Sequence, residues 1–221
     1  MANRNQRESV FALGTEQNDV LTGAMGDDFI EGLGGNDMIT GKAGDDFLYG
    51  DDRIAGNNGD DEIGGGEGDD WLEGDAGDDL LNGNEGADWL QGGQGHDTLL
   101  GGKADDILWG DDGNDRLAGG AGADKFWLWQ NISHTPFDLE RNIITDFNSE
   151  EGDRLIFDTA SGNENSLADL RLSIRGGIDR EGNENVAWIS NIVGNHIYAS
   201  LEGVDYRDIT ESTFDLYFEV V

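Results

Sequence analysis

The chain has 221 residues, of which 36 are Gly and none is Cys, and its formal net charge is -35. Glycine is present at more than twice its usual share, no disulfide can hold the fold, and so acidic a surface repels nucleic acid and anionic membranes, leaving cations as expected partners. Residues 1–13 lack the apolar stretch of an N-terminal export signal, and no run approaches the roughly 20 apolar residues of a membrane span, so export is expected to use a signal elsewhere. Residues 1–13 read as a polar lead-in whose Val10, Phe11, Ala12 and Leu13 are suited to cover the first edge of the next structural unit, as helix or strand.

From Gly14 one nine-residue phrase recurs: Gly-Gly-x-Gly-x-Asp-x-apolar-x. It starts at Gly14, Gly23, Gly32 and Gly41, then contracts to the six residues Gly50-Asp51-Asp52-Arg53-Ile54-Ala55. Eight full copies come after it, from Gly56, Gly65, Gly74, Gly83, Gly92, Gly101, Gly110 and Gly119. Residues 14–127 therefore hold twelve full copies and one that lacks three turn residues. So strict a period marks a stacked repeat rather than a disordered acidic chain.

Each phrase reads as a turn followed by a short strand. Glycines at positions one, two and four permit positive φ and leave carbonyls uncovered by side chains. Position eight is Leu21, Ile30, Ile39, Leu48, Ile63, Leu72, Leu81, Leu90, Leu99, Leu108, Leu117 and Phe126, with Ile54 in the shortened copy. With positions seven and nine pointing the other way, one side chain per phrase turns inward. That alone does not offset the ordering of nine residues at roughly 1–2 kcal/mol each, so a further ligand is required.

Position six identifies that ligand. It is Asp in all twelve full copies: Asp19, Asp28, Asp37, Asp46, Asp61, Asp70, Asp79, Asp88, Asp97, Asp106, Asp115 and Asp124. Stacking the turns lines these carboxylates up in columns, where they repel unless cations sit between them. A shell of carboxylate and carbonyl oxygens without His or Cys selects a hard cation, and Ca²⁺ suits six to eight adaptable oxygen ligands better than Mg²⁺.

The phrase resembles the calcium-binding nonapeptide of the RTX (repeats-in-toxin) proteins. The resemblance implies an all-β, right-handed parallel β-roll with two nonapeptides per coil and Ca²⁺ held between turn n and turn n+2. Its ligands would be the position-six Asp residues and main-chain carbonyls of positions one to four, here including Gly92, Gly93, Gly95, Gly101, Gly102, Gly110, Gly119, Gly120 and Gly122. Asp97 would then share one ion with Asp79 and another with Asp115. If the shortened copy keeps its place in the coil, one column has five intervals and the other, broken at Asp52, has four, giving about nine ions.

The same parity gathers Val20, Met38, Arg53, Trp71, Trp89 and Ile107 at position seven on one face, beside Trp109 and Trp127 at position nine. Such an apolar stripe either packs against residues 130–221 or the lead-in, or is an exposed track for sugar rings or self-association.

After Trp127 the phrase stops. Ile143-Ile144-Thr145-Asp146-Phe147 and Gly152-Asp153-Arg154-Leu155-Ile156-Phe157 are similar to the segment after the repeats in serralysin-type peptidases and in binding modules of mannuronan C5-epimerases. The peptidases have an Asp ligand where this chain has Asn142, which places that further ion site in question. Alternating apolar residues there, in 186–192 and in 196–201, predict strands capping the open end of the roll. The terminus Phe214-Asp215-Leu216-Tyr217-Phe218-Glu219-Val220-Val221 resembles the acidic-then-apolar signal read by type I secretion systems, and also suits a closing strand.

No catalytic constellation emerges. His96, His134 and His196 lack zinc-type spacing and a HExxH context, and there is neither a GxSxG elbow nor a thiol nucleophile. The expected organisation is a lead-in (1–13), a nonapeptide β-roll (14–127) and a β-rich C-terminal cap carrying a type I secretion signal (128–221). The expected function is that of a non-enzymatic, secreted, extracellular calcium-binding protein that folds on meeting Ca²⁺. Two alternatives stand beside it. One is an alginate-like carbohydrate-binding or adhesive module, using the aromatic track or Arg141, Arg154, Arg171, Arg175 and Arg180; the other is a detached part of a secreted peptidase, lipase or epimerase.

Overall fold

The computed structural model describes residues 9–50, 52–129, 142–148, 151–158, 172–177, 186–191, 197–202 and 218–220. Within them all regular structure is β, in twenty strands forming two sheets. One sheet has eleven strands in the order β1 (Phe11–Leu13), β3 (Phe29–Glu31), β5 (Phe47–Tyr49), β7 (Glu62–Glu67), β9 (Leu80–Glu85), β11 (Thr98–Lys103), β13 (Arg116–Ala121), β15 (Asn142–Ile144), β19 (Ile197–Glu202), β18 (Val186–Asn191) and β17 (Leu172–Gly177). The other has nine: β2 (Val20–Thr22), β4 (Asp37–Ala43), β6 (Asp52–Asn58), β8 (Trp71–Ala76), β10 (Trp89–Gly95), β12 (Ile107–Gly113), β14 (Lys125–Trp129), β16 (Arg154–Asp158) and β20 (Phe218–Val220).

Successive repeat strands alternate between the sheets and pair in parallel with the strand two places on, as in Leu90 opposite both Leu72 and Leu108. This is the parallel β-roll that two nonapeptides per coil require. Position eight is its core: Leu72, Leu90 and Leu108 on one side and Leu81, Leu99 and Leu117 on the other are all 0% exposed. The first rung is less well covered, since Ala12 and Leu21 are only partly buried.

The shortened copy keeps its place in the coil. Arg53 lies between Met38 and Trp71, and Ile54 lies between Ile39 and Leu72 and is fully buried. Deleting three turn residues spares the strand because the strand carries the register and the turn only the connection.

Phe11–Leu13 of the lead-in form β1, paired to β3 in the eleven-stranded sheet. At the other end both sheets continue past the last full phrase: Ile144 is opposite Leu117, and Leu155 is opposite Phe126, each with a fully buried side chain. The strands expected around 186–192 and 196–201 are β18 and β19, and β17 and β18 close that sheet in antiparallel fashion. Of the C-terminal octapeptide, residues 218–220 form β20 beside β16, while 214–217 and 221 lie outside the described residues.

Candidate metal columns

The turns joining the sheets stack along two edges of the roll, bringing position six into two columns. Asp28, Asp46, Asp61, Asp79, Asp97 and Asp115 form one; Asp37, Asp70, Asp88, Asp106 and Asp124 belong to the other; all are at most 4% exposed. Asp19, on the outermost turn, is half-buried. Each link is a main-chain N–H donating to the next carboxylate: Asp61 to Asp79 Oδ1 at 2.8 Å, Asp79 to Asp97 at 2.9 Å, and Asp97 to Asp115 at 3.0 Å. The column passes the shortened copy unbroken, because Asp46 N–H reaches Asp61 Oδ1 at 2.7 Å across fifteen residues instead of eighteen.

The second oxygen is different. Oδ2 of Asp37, Asp46, Asp61, Asp79, Asp88, Asp97, Asp106 and Asp124 is buried without a hydrogen-bond partner. Leaving an ionised carboxylate oxygen so placed is costly, and eight repetitions mark the arrangement as a design rather than an accident. The ends are treated otherwise. Asp19 Oδ2 accepts from Thr15 N–H at 2.6 Å and from the Thr15 hydroxyl at 2.8 Å, and Asp28 Oδ2 accepts from Ala24 N–H at 2.5 Å.

The phrase glycines divide the work differently from the sequence expectation. Positive φ falls at positions two and four, including Gly93 (112°), Gly95 (147°), Gly102 (122°), Gly120 (96°) and Gly122 (148°), and not at position one. Position one is glycine for space. A Cβ on Gly101 would overlap both Asp106 Oδ2 and the carbonyl oxygen of Gly119, and Gly74 and Gly83 are crowded likewise by Asp79 with Gly92 and by Asp88 with Gly101. A carboxylate oxygen and a carbonyl oxygen from the next coil thus converge where a side chain would stand. Gly110 is crowded by Asp115 Oδ2. At Gly32, Gly56, Gly92, Gly110 and Gly119 the three nearest atoms all belong to the position-six Asp of the same phrase.

Electrostatics agree with this geometry. Burial, reinforced by neighbouring carboxylates, pushes the carboxyls of Asp61, Asp97 and Asp106 up to about 7 against the opposing main-chain hydrogen bond. Burial likewise raises Asp46, Asp79, Asp88 and Asp124 to about 6. Among the described residues no three His, Cys, Asp or Glu side chains cluster at one point, so an ion held between two position-six carboxylates would draw the rest of its shell from carbonyls. A donor set made only of oxygen, with orphaned carboxylate oxygens and uncovered carbonyls, fits Ca²⁺.

The family of RTX calcium-binding nonapeptide repeats (4 copies) matches residues 13–48, 48–72, 64–99 and 91–126, more than half of the chain. The chain belongs to this family of calcium-binding repeats. Among solved structures it is similar to the AlgE6R3 subunit of the Azotobacter vinelandii mannuronan C5-epimerase, with 24% identity over 75% of this chain and 80% of that one and a TM-score of 0.42. It is also similar to the extracellular lipase LipA of Serratia marcescens, with 19% identity over 97% of this chain and a TM-score of 0.28. The match spans 40% of the lipase's length. A search of the curated proteins returns no match.

Three features lay beyond the nonapeptide period, although the resemblance had already singled out Asn142. Asp124 N–H donates to Asp153 Oδ1 at 3.0 Å, and Asp115 N–H donates to Asn142 Oδ1 at 3.1 Å, so both columns gain a further rung. Asp153 Oδ2 accepts from Asn148 N–H at 2.7 Å, and Asn142 brings no charge. The signal was present in Asn142-Ile143-Ile144-Thr145 and Asp153-Arg154-Leu155-Ile156, which keep positions six to nine without the glycine turn. Asp146 bonds the last turn, its Oδ1 accepting from Gly119 N–H at 3.0 Å and its Oδ2 from Gly120 N–H at 2.9 Å. Position five also forms a ladder, in which Asp78 Oδ1 accepts from His96 N–H at 2.8 Å and His96 Nδ1 accepts from Asn114 N–H at 3.1 Å.

The position-seven stripe is assembled as expected on the outside of the nine-stranded sheet. Val20 is 75% and Met38 50% exposed, while Trp71, Trp89 and Ile107 are half-buried. Of the lead-in, Phe11–Leu13 (β1) belongs to the other sheet, and residues 1–8 lie outside the described residues. Arg53 sits 5.0 Å from the Trp71 ring centre, and Trp71 Nε1 donates to Glu73 at 2.8 Å. Of the basic residues, Arg154 donates to the carbonyls of Gly152 and Asp153. The Arg175 backbone lies in β17, and Arg141, Arg171, Arg180, His134, His196 and Asp51 lie outside the described residues.

Proposed function

We propose that this chain is a non-enzymatic secreted protein whose β-roll folds when its Asp columns take up Ca²⁺ outside the cell. The observation that carries this reading is the run of buried, unpartnered Oδ2 atoms, which makes the metal-free roll electrostatically unfavourable at neutral pH. Asp79 and Asp97 would hold one ion with turn carbonyls such as that of Gly92, and Asp88 and Asp106 another with that of Gly101. When bound, the ions supply the positive charge that offsets the carboxylates, so that binding free energy becomes folding free energy.

The unbroken column supplies five intervals and the interrupted one four, about nine ions in all, with per-site affinities of ~10⁻⁴–10⁻³ M as in other extracellular modules. Residues 1–13 serve as lead-in, 14–127 as the ion-binding roll and 128–221 as cap and type I secretion signal. A metal-free chain kept unfolded by its charge is suited to thread a secretion channel, and the acidic-then-apolar C-terminus supports that route. Circular dichroism during a Ca²⁺ titration tests the coupling: β structure should appear cooperatively with Ca²⁺ and vanish with EDTA, whereas full β structure in EDTA at neutral pH rejects it.

A further inference from the structure

A groove of about 600 Å³ runs along the outer corner of the nine-stranded sheet, lined by positions two and three of the phrases that start at Gly56, Gly74, Gly92 and Gly110 and by Gln91 at position nine of the Gly83 phrase. Its long direction follows the roll axis, because Asn57, Asp75, Gly93 and Asp111 occupy one register line. Gly93, between Asp75 and Asp111, is glycine for close approach, since a Cβ there would meet the Asp75 carbonyl. All four residues have positive φ, at 87°, 76°, 112° and 66°, so the turn geometry is maintained even where the residue is not glycine.

The lining is rich in amides: Asn57, Asn58, Gln91 and Gln94 each carry a donor and an acceptor. Asp75, Asp111 and Asp112 add acceptors, and Gln91 Nε2 donates to Asp111 Oδ2 at 2.5 Å, which holds both side chains at the rim. Trp89 shares the outer face of β10 with Gln91 and packs its half-buried ring against Trp71, so an indole stands on that face just outside the groove lining.

We propose that this groove binds an extended, uncharged polysaccharide. The paired donors and acceptors match hydroxyl groups, and the indole offers a flat apolar flank of the kind a sugar face covers. Other ligand classes fit less well. No cationic side chain lines the groove, which with a net charge of -35 disfavours an anionic polymer such as alginate. Asp75 and Asp111 stand two rungs apart, roughly 9–10 Å, too far to share one metal ion. A peptide adding as a strand needs an open sheet edge, and β8, β10 and β12 are paired on both sides.

The test uses the full chain in saturating Ca²⁺, with calorimetric titration of cello-, manno- and laminari-hexaose alongside alginate and chitosan oligomers of equal length. At least one uncharged hexaose should bind, with little dependence on salt, and Gln91→Ala/Asp111→Gly, the glycine suiting the positive φ at that position, should weaken it roughly tenfold while the Ca²⁺-induced dichroism is unchanged. The dichroism separates loss of folding from loss of binding. If the double variant does not fold, Gln94→Ala at the same rim replaces it. Binding of the charged oligomers alone, binding of none, or unchanged affinity in the folded variant overturns the proposal.

Discussion

Asp79 donates its main-chain N–H to Oδ1 of Asp97 at 2.9 Å, and Oδ2 of Asp97 is left buried with no hydrogen-bond partner. One half of each carboxylate therefore builds the roll and the other half waits for a ligand. Asp97→Asn keeps the accepting oxygen and removes the charge. The Ca²⁺ midpoint of folding should rise roughly tenfold or more, and calorimetry should count about two fewer ions, since Asp97 borders two intervals. Asp19→Asn, whose carboxylate Thr15 already satisfies, should shift the midpoint far less. Equal effects of the two substitutions would contradict the assignment.

Acidity should act in opposite directions on the metal-free and calcium-bound forms. The folded-state values of about 7 for Asp61, Asp97 and Asp106 lie above the ordinary 3.8, so between about pH 4 and 7 the folded chain holds more protons than the unfolded chain. Stability of the metal-free roll must then fall as pH rises through this window. In EDTA, β content by dichroism should be greater at pH 5 than at pH 8. Because Ca²⁺ competes with those protons, its apparent affinity should be weaker at pH 5 than at pH 8, with proton release on binding visible in buffer-dependent calorimetric heats.

Two glycine-related substitutions should separate space from backbone conformation. Gly101→Ala places a methyl where Asp106 Oδ2 and the Gly119 carbonyl converge, so it should abolish uptake at that interval even though φ there needs no glycine. Leu33→Gly relieves a non-glycine residue at φ 74° and should stabilise the calcium-bound fold by about 1 kcal/mol in denaturant titration. A stabilising Gly101→Ala would show that the cradle is not used.

The core can be tested independently of the ions. Leu99 is fully buried between Leu81 and Leu117, so Leu99→Ala should cost about 2–5 kcal/mol of stability in Ca²⁺. The ion count at saturation should remain as in the unaltered chain, whereas a drop would mean that the core itself shapes the ligand sites.

Much of this was legible from the period alone. A strict spacing of nine determines that position eight faces inward and that position-six carboxylates stack, since translation by one coil superposes like on like. Even the six-residue copy was readable, because Ile54 keeps its place relative to its neighbours. The final rung was not: Asn142 comes 27 residues after Asp115 and Asp153 comes 29 after Asp124, instead of 18, so periodicity no longer points to them.

The nonapeptide by itself determined the class of fold, the core rungs and the identity of the acidic columns, because each depends only on the repeat interval and the alternation of a strand. Tertiary structure decided which oxygen of each Asp is spent on the neighbouring N–H and which is left bare. It also decided that position-one glycines make room while positions two and four bend the chain, and where the columns end. Those outcomes depend on contacts between coils fifteen to twenty-nine residues apart, and no local pattern encodes how two such turns meet.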